Sequence, residues 1–252
     1  MNLDGRAALI TGGGRGIGAA TAEALACAGA RVGVAARTIA EVEEVAARIR
    51  AEGREAFAFR CDVTDADDVT AAARAAEQAM GPIGILVNNA GAASSDPFRR
   101  TTLEEWNRLL AVNATGTFLC TQAVLGGMLD GGWGRIVNVA SVAGLEGAPY
   151  VSAYTASKHA VVGLTRALAE EVVGTGVSVN AVCPGWVDTP MTRRAVQGVA
   201  EKTGAAEGEA LEAILAQSGQ SRLLATDEVA ARILEVCVAD AATNGKTLVI
   251  NN

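Results

Sequence analysis

The chain has 252 residues, and its 21 lysine and arginine residues against 28 aspartate and glutamate residues give a net charge of −7. This acidic balance argues against a protein that coats nucleic acid or an anionic membrane through general electrostatics. The single histidine, His159, excludes metal motifs that need two histidines, and we predict only a structural role for it. The five cysteines form no Cys-x-x-Cys pair, so we predict no disulfide framework and no metal site.

The N-terminal residues 1–6 lack the basic and long apolar regions of a secretory signal. We also expect no apolar run to approach the length of about 18 residues that a membrane-spanning helix needs. Widely spaced, unpaired cysteines are typical of a reducing compartment. We therefore expect a soluble cytoplasmic protein with neither nucleic acid nor membrane as a partner.

Short apolar runs alternate with helical patterns along the chain. We predict strands at residues 7–10, 31–36, 55–60, 83–87, 135–139, 177–182 and 247–250. We predict helices at residues 19–26, 40–51, 65–80, 103–129 in two stretches, 152–173 and 227–238, with Thr64 capping the third. Strands separated by helices form right-handed crossovers, so we predict a single doubly wound Rossmann-type α/β domain over residues 1–252, with about seven parallel strands covered by helices on both faces.

Residues 188–226 are the one stretch that does not fit this alternation. They are helical in pattern but rich in glycine, glutamine and charge. The stretch follows the carboxyl end of a strand, where α/β sheets bind ligands, so we predict a substrate lid. A surface insertion without a function is the alternative.

A glycine-rich turn, residues 11–18 (TGGGRGIG), lies between the first predicted strand and helix. Glycines let the backbone turn tightly and let a pyrophosphate approach main-chain N–H groups, while the helix N-terminus adds a positive dipole. A purely structural tight turn is the alternative. The favoured interpretation is a dinucleotide site that includes Gly12, Gly14, Gly16, Ile17 and Gly18.

The second predicted strand is followed by Arg37 and lacks the carboxylate that usually holds the ribose hydroxyls of NAD. A guanidinium instead suits a 2′-phosphate through charge-assisted hydrogen bonds, and Arg15 in the glycine turn is placed to hold the same phosphate from the other side. The sequence therefore favours NADP(H). The alternative is that both arginines are solvated surface charges.

The chain resembles the short-chain dehydrogenase/reductases over essentially its whole length. The likeness rests on six motifs in the order of the family: Thr11-Gly12-x-x-x-Gly16-x-Gly18, Asn88-Asn89-Ala90-Gly91, Asn113, Ser141, Tyr154-x-x-x-Lys158, and Pro184-Gly185 with Thr189. The stretches that contain Tyr154 and Pro184 look most like 3-oxoacyl-thioester and polyketide ketoreductases. The resemblance implies hydride transfer between NADP(H) and a carbonyl or secondary alcohol, with a 3-oxoacyl thioester on coenzyme A or an acyl carrier, or a related ketone, as the expected substrate.

Tyr154 and Lys158 are four residues apart and share one face of a helix. A free phenol has a pKa of about 10, and we expect the Lys158 ammonium to lower the pKa of Tyr154 so that it exchanges a proton near neutrality. The resemblance implies that Ser141 polarises the substrate carbonyl and that Lys158 also reaches the nicotinamide ribose. It further implies that Asn113 holds a water on the proton relay to Lys158.

The resemblance also implies a set of further cofactor contacts. Asp62 and Val63 would border the adenine, and Pro184, Gly185, Val187 and Thr189 would fix the nicotinamide carboxamide. The adenine ribose side would be lined by Asn88, Ala90 and Gly91, with Asn89 also in the site. For Asn88, a structural hydrogen bond between strands is an equal alternative.

The end of the last strand departs from the family pattern. The family usually follows its last strand with Asp-Gly-Gly, whereas this sequence has Asn251-Asn252, so the expected homo-oligomer, a tetramer or a dimer, could differ at that contact.

Two alternatives to a ketoreductase remain from the sequence. They are an alcohol dehydrogenase that oxidises a sugar, steroid or cyclic alcohol, and a non-catalytic NADP(H)-binding regulator. Such regulators typically lose the tyrosine or the lysine, and this chain keeps both, which favours an enzyme.

Overall fold

The sheet has seven strands, and the computed structural model describes residues 3–252. Met1 and Asn2 lie outside the described residues. They are part of the predicted domain and of the N-terminal segment that was expected to contain no secretory signal. The strands are β1 (Ala7–Thr11), β2 (Arg31–Ala36), β3 (Ala56–Arg60), β4 (Ile83–Asn88), β5 (Gly134–Val139), β6 (Val177–Pro184) and β7 (Thr247–Ile250). All pairs are parallel in the order β3-β2-β1-β4-β5-β6-β7, which confirms the predicted doubly wound sheet.

Nine α-helices connect the strands in the described part of the chain. They are α1 (Gly16–Cys27), α2 (Ile39–Ala51), α3 (Ala66–Met80), α4 (Leu103–Leu110), α5 (Gly116–Asp130), α6 (Ser152–Glu171), α7 (Pro190–Thr203), α8 (Glu207–Ser218) and α9 (Thr226–Val238). The prediction that Thr64 caps α3 is wrong, because the Asp65 side chain accepts hydrogen bonds from the amides of Asp67 and Asp68. A carboxylate is a good acceptor for these free amides and also carries a charge that suits the helix dipole.

The sheet is covered on both faces by apolar layers. Helices α1, α2 and α9 enclose one buried cluster, which includes Leu25, Val45 and Ile233, and α3, α5 and α6 enclose the other, which includes Val69, Val124 and Leu168. The central strands β1, β5 and β6 are buried along their full length, as parallel strands between two helical layers require. The strand order reverses between β1 and β4, and α/β sheets bind ligands in the crevice beyond the carboxyl ends of the strands at such a reversal.

Helices α4 and α5 form one continuous helical stretch, Leu103–Asp130, joined by a wider π-helical turn at Ala111–Thr115. An 18-residue window within it has a mean hydropathy of 1.4, so by length and composition alone it could cross a membrane. The expectation that no run would reach this length is therefore wrong. Buried residues such as Cys120 and Val124 pack α5 into the core beneath the sheet, and a core helix passes the same length and composition test.

The stretch predicted as a lid forms a helical hairpin. Helices α7 and α8 pack on each other through a small apolar cluster of Val196, Ala200, Ala210 and Ile214, with Trp186 against it. The cluster is separate from the two main cores. The hairpin begins just after the carboxyl end of β6 and stands beside the crevice, although its function as a lid stays a prediction.

Candidate active site

The glycine turn joins the end of β1 to α1 and lies against the end of β4. Gly12 has φ of +63°, and a Cβ at this residue would stand 2.7 Å from the Cα of Ala90. The Asn89 side-chain amide donates to the carbonyls of Thr11 and Gly12, each at 3.0 Å, and so fastens the turn to β4. Glycine at position 12 therefore allows both the turn and the close approach of the two backbones. The hydrogen bonds of Asn89 hold the glycine turn in its shape.

The first amides of α1 are free donors at the crevice. Arg15 occupies the N-cap position in extended conformation and makes no side-chain cap bond, so the dipole and N–H groups remain available to an anion. Gly16 has φ of +56°, and a Cβ there would lie 3.3 Å from Cγ2 of Thr189. The structure thus brings Thr189, which precedes α7, next to the glycine turn.

The two arginines predicted to hold a 2′-phosphate lie in different environments. Arg15 pairs with Glu41 of α2, with 3.2 Å between Nη1 and Oε1. Arg37 is exposed and forms no ion pair with any residue in the range 3–252. Glu41, a carboxylate that packs against the glycine turn at Gly14, was not predicted, because it lies four residues past Arg37 inside a helical pattern.

Asp62 and Val63 follow β3, at the side of the crevice predicted for adenine. One Asp62 carboxylate oxygen accepts from the Thr64 amide at 3.0 Å and from the Thr64 hydroxyl at 2.7 Å. Burial raises the pKa of Asp62, but these hydrogen bonds and the nearby arginines outweigh it and lower the pKa below its usual value. Asp62 is thus an ionised acceptor, and Val63 is a buried apolar wall beside it.

Asn88 is buried inside the sheet. Its amide donates at 2.9 Å both to the hydroxyl of Thr121 on α5 and to the side-chain carbonyl of Asn138 on β5. Asn138 in turn donates to Thr165 on α6 at 2.8 Å. This chain of buried bonds matches the structural alternative for Asn88.

Ser141, Tyr154 and Lys158 converge beyond the carboxyl end of β5. Ser141 caps a short 3-10 turn, Val142–Gly144, by accepting from the Ala143 amide at 3.2 Å. That turn packs on α6, since a Cβ at Gly144 would stand 2.8 Å from the Lys158 carbonyl oxygen. The predicted shared helix face for Tyr154 and Lys158 therefore faces the serine.

The electrostatics of Tyr154 differ from the sequence-based expectation. Burial raises its pKa, and a hydrogen bond with Ser141 lowers it only in part. Lys158 does not reverse this direction, because its Nζ donates to the Val139 carbonyl at 2.8 Å and lies 5.9 Å from the centre of the tyrosine ring. Burial lowers the pKa of Lys158 itself to about 8. The expected lowering of the Tyr154 pKa by Lys158 is wrong in this geometry.

Asn113 lies in the π-helical turn and is fully buried. Its side-chain oxygen accepts from the Ala92 amide at 2.8 Å, and its amide donates to the Ala92 carbonyl and to Ser157, each at 2.9 Å. Both polar ends of the side chain are thus bonded within the protein, and the role of Asn113 in holding a relay water stays a prediction. A Cβ at Gly91 would lie 3.3 Å from Asn113 Oδ1 and 3.7 Å from Lys158 Nζ, which places Gly91 between the two predicted relay residues.

Ser157 is a further site residue that sequence analysis missed. It is fully buried, accepts from Asn113, and donates to the Tyr154 carbonyl at 2.7 Å. In the sequence, only its position between Tyr154 and Lys158 indicated that Ser157 belongs to the site. Ser157 ties the π-helical turn to the helix that carries the catalytic candidates.

The segment from Pro184 to Thr189 runs from β6 to the lid hairpin. Its shape depends on the buried side chain of Gln220, which accepts from the Trp186 amide at 2.6 Å and donates to the Trp186 carbonyl at 3.3 Å. The Thr192 hydroxyl donates to the Val187 carbonyl at 2.6 Å. Gln220 was not predicted, because no sequence motif marks a residue that only folding brings to this segment.

Comparison with known proteins agrees with this geometry. Residues 6–200 match the family model described as short chain dehydrogenase, and the chain belongs to that family. It is 43% identical over 191 residues to the 3-oxoacyl-(acyl-carrier-protein) reductase of Synechocystis sp., with 75% of this chain and 77% of that protein covered.

A second relative and a solved structure cover almost the whole chain. The chain is 40% identical over 253 residues to the D-threitol dehydrogenase of Mycolicibacterium smegmatis, which covers 100% of this chain and 93% of that protein. The crystal structure of an actinorhodin polyketide ketoreductase variant with NADPH superimposes with a TM-score of 0.93 at 37% identity and covers 98% of this chain and 95% of that one. The fold and the family are therefore those that the sequence motifs predicted.

Proposed function

We propose that this short chain dehydrogenase is an NADP(H)-dependent ketoreductase whose substrate is a 3-oxoacyl thioester or a related ketone. The observation that carries the proposal is the convergence of Ser141, Tyr154 and Lys158 beside the glycine turn. The likeness to a 3-oxoacyl reductase and to a polyketide ketoreductase supports the substrate class.

The residues of the crevice fit a dinucleotide phosphate. The glycine turn packs closely against Ala90 and Glu41, and no side chain caps α1, so the first amides of α1 would bind the pyrophosphate. Arg37, exposed and without an ion pair in the described chain, would hold the 2′-phosphate, together with Arg15 if it leaves Glu41. Asp62 and Val63 would border the adenine, and the segment Pro184 to Thr189 would hold the nicotinamide end.

The chain's own residues are arranged for proton donation. When bound, the nicotinamide supplies the hydride. Tyr154 donates its phenolic proton to the carbonyl oxygen as the alcohol forms, and Ser141 donates a hydrogen bond to the same oxygen. Because burial raises the pKa of Tyr154, the phenol stays protonated near neutral pH, which suits the reductive direction. Lys158, with a pKa of about 8, is placed to return a proton to the site.

We further propose that the substrate is carried as a thioester on coenzyme A or an acyl carrier, and that the protein works as a cytoplasmic homo-oligomer, a tetramer or a dimer. The five free cysteines suit a reducing compartment. Light scattering on the purified protein would give the oligomeric state, and a monomer at micromolar concentration would contradict this part of the proposal.

A second candidate is a dehydrogenase that oxidises a polyol or cyclic alcohol. The observation that favours it is the 40% identity to D-threitol dehydrogenase over the whole chain. In that direction the pKa of Tyr154 must fall when the site is occupied, because the tyrosine has to accept the proton.

The deciding experiment measures NADPH and NADH oxidation with acetoacetyl-coenzyme A, 1-decalone, a cyclic diketone and an aryl ketone, and NADP⁺ reduction with threitol and cyclohexanol. We expect the highest kcat/KM with NADPH and a ketone or thioester. Higher values with the alcohols would favour the second candidate. Tight NADPH binding without turnover of any substrate would indicate a non-catalytic regulator.

A further inference from the structure

Tyr150 has an unusual backbone conformation. Its φ is +67°, and among residues 3–252 it is the one non-glycine residue with positive φ. An L residue with a large side chain is strained there, whereas glycine is not. Tyr150 lies just before α6, four residues ahead of Tyr154, so the strain falls in the turn that begins the helix with the catalytic tyrosine.

Packing within the chain does not explain this side chain. Tyr150 is 63% exposed and belongs to neither main apolar core. A glycine would allow the same turn without strain. Because the ring is mostly exposed, its packing within the chain does little to offset the strain, and strained residues of this kind cluster at functional sites.

A series of contacts links Tyr150 to two other segments beside the crevice. Its carbonyl accepts from the Asp96 amide at 2.8 Å, in the loop that follows β4 and Gly91. The same loop is joined to the lid hairpin, because Lys202 Nζ donates to the Ser95 carbonyl at 2.8 Å and lies 3.6 Å from the Asp96 carboxylate. Tyr150 thus stands at the rim where the β4 loop, the start of α6 and the lid come together.

We propose that Tyr150 is a specificity-determining residue whose ring contacts the apolar part of the substrate that extends outward from the reacting carbonyl. The inference rests on the proposed ketoreductase function and adds a substrate class: ketones and thioesters with a ring or chain long enough to reach the rim. An exposed aromatic ring offers such a group a large, rigid apolar surface. The contacts among Asp96, Ser95 and Lys202 hold the rim in the arrangement that presents the ring.

The test compares Tyr150→Phe, Tyr150→Asn and Tyr150→Gly with the wild type, using 1-decalone as the extended ketone and butane-2,3-dione as the short one. Asparagine and glycine tolerate positive φ, so both variants keep the backbone while removing the ring. We expect KM for 1-decalone to rise about tenfold in these two variants, with kcat changed less. The short ketone should show no such change, and Tyr150→Phe should behave as the wild type.

Val173→Asn is the matched control, because Val173 is 67% exposed and lies just past the other end of α6. NADPH affinity, measured by fluorescence, shows that each variant is folded. Equal KM for 1-decalone in the wild type, Tyr150→Asn and Tyr150→Gly would overturn the inference and leave the ketoreductase function intact. A rise in KM for 1-decalone in Tyr150→Phe would show that the hydroxyl is needed, and would overturn the proposal of an apolar contact with the ring. A wild-type protein that reduces no ketone would overturn both proposals.

Discussion

The ammonium group of Lys158 donates a hydrogen bond of 2.8 Å to the Val139 carbonyl and lies 5.9 Å from the centre of the Tyr154 ring. The lysine is thus tied to the end of β5. It is almost fully buried, and burial lowers its pKa to about 8. At pH values where Lys158 is protonated, burial of its charge therefore lowers the stability of the fold.

The first prediction concerns Lys158→Met. Between pH 8 and the usual lysine pKa of about 10.4, the unfolded chain binds more protons at this residue than the folded chain, so the wild type gains stability from it as pH rises. Below pH 8 both states are protonated and the cost is constant. We expect the methionine variant to be at least as stable as the wild type at pH 7, with its relative stability falling steadily from pH 8 to 9.5.

Urea unfolding at several pH values measures this difference. A stability difference that is flat across pH 7 to 9.5 would show that the pKa of Lys158 is not lowered. The same titration should weaken NADPH binding above pH 8 in the wild type if the ammonium contacts the cofactor. Lys158→Met should lack that pH dependence.

Removing the phenolic hydroxyl tests the proton donor. Tyr154→Phe should lower kcat by about 100- to 10,000-fold, because general acid catalysis is lost. Ser141→Ala should lower kcat by about 100-fold through the lost hydrogen bond to the developing oxyanion. NADPH affinity should stay within about twofold in both variants, since the glycine turn is untouched. Most of the activity surviving in Tyr154→Phe would refute the assignment.

Arg37→Asp tests the choice of cofactor. The substitution removes the partner of the 2′-phosphate and supplies an acceptor for ribose hydroxyls, so the NADPH/NADH ratio of kcat/KM should fall by about tenfold or more. Arg54→Asp is the control, because Arg54 is also exposed but precedes β3, so it lies at the amino-terminal ends of the strands, away from the crevice. An unchanged ratio in Arg37→Asp would mean that Arg37 does not contact the cofactor.

Glu41→Gln addresses the ion pair with Arg15. The carboxylate competes with an incoming phosphate for the guanidinium and repels it, so the neutral variant should bind NADPH about threefold more tightly. Glu44→Gln on the same helix, which removes a carboxylate that pairs with Arg48, should have no effect. Weaker NADPH binding in Glu41→Gln would indicate that Glu41 positions Arg15 for the cofactor.

Ser157→Ala tests positioning through the buried network. Loss of the bonds to Asn113 and to the Tyr154 carbonyl should cost about 1–2 kcal/mol of stability and lower kcat severalfold with little change in KM. Thr165→Val removes another buried hydroxyl on α6, outside the Asn113 contacts, and should cost stability without the loss of kcat. Equal effects of the two variants on kcat would reduce Ser157 to a structural role.

Local patterns were enough to predict the architecture. Continuous apolar runs such as β1 and β6 alternate with helical segments, and only a parallel sheet covered on both faces buries all of them. The glycine turn and the pair Tyr154 and Lys158 could also be found from sequence, because a turn and a helix fix neighbouring residues within a few positions. The predicted cap of α3 was wrong, because Asp65 rather than Thr64 occupies that position.

Tertiary structure decided the contacts between residues far apart in the chain. Glu41 reaches Arg15, Gln220 supports Trp186, and Asp96 holds Tyr150 only because separate crossovers end at one edge of the sheet. The direction of the Tyr154 pKa was decided in the same way. Spacing along a helix placed a charge nearby, but the pKa depends on how deeply the fold buries the phenol and on the carbonyl at Val139 that holds the lysine.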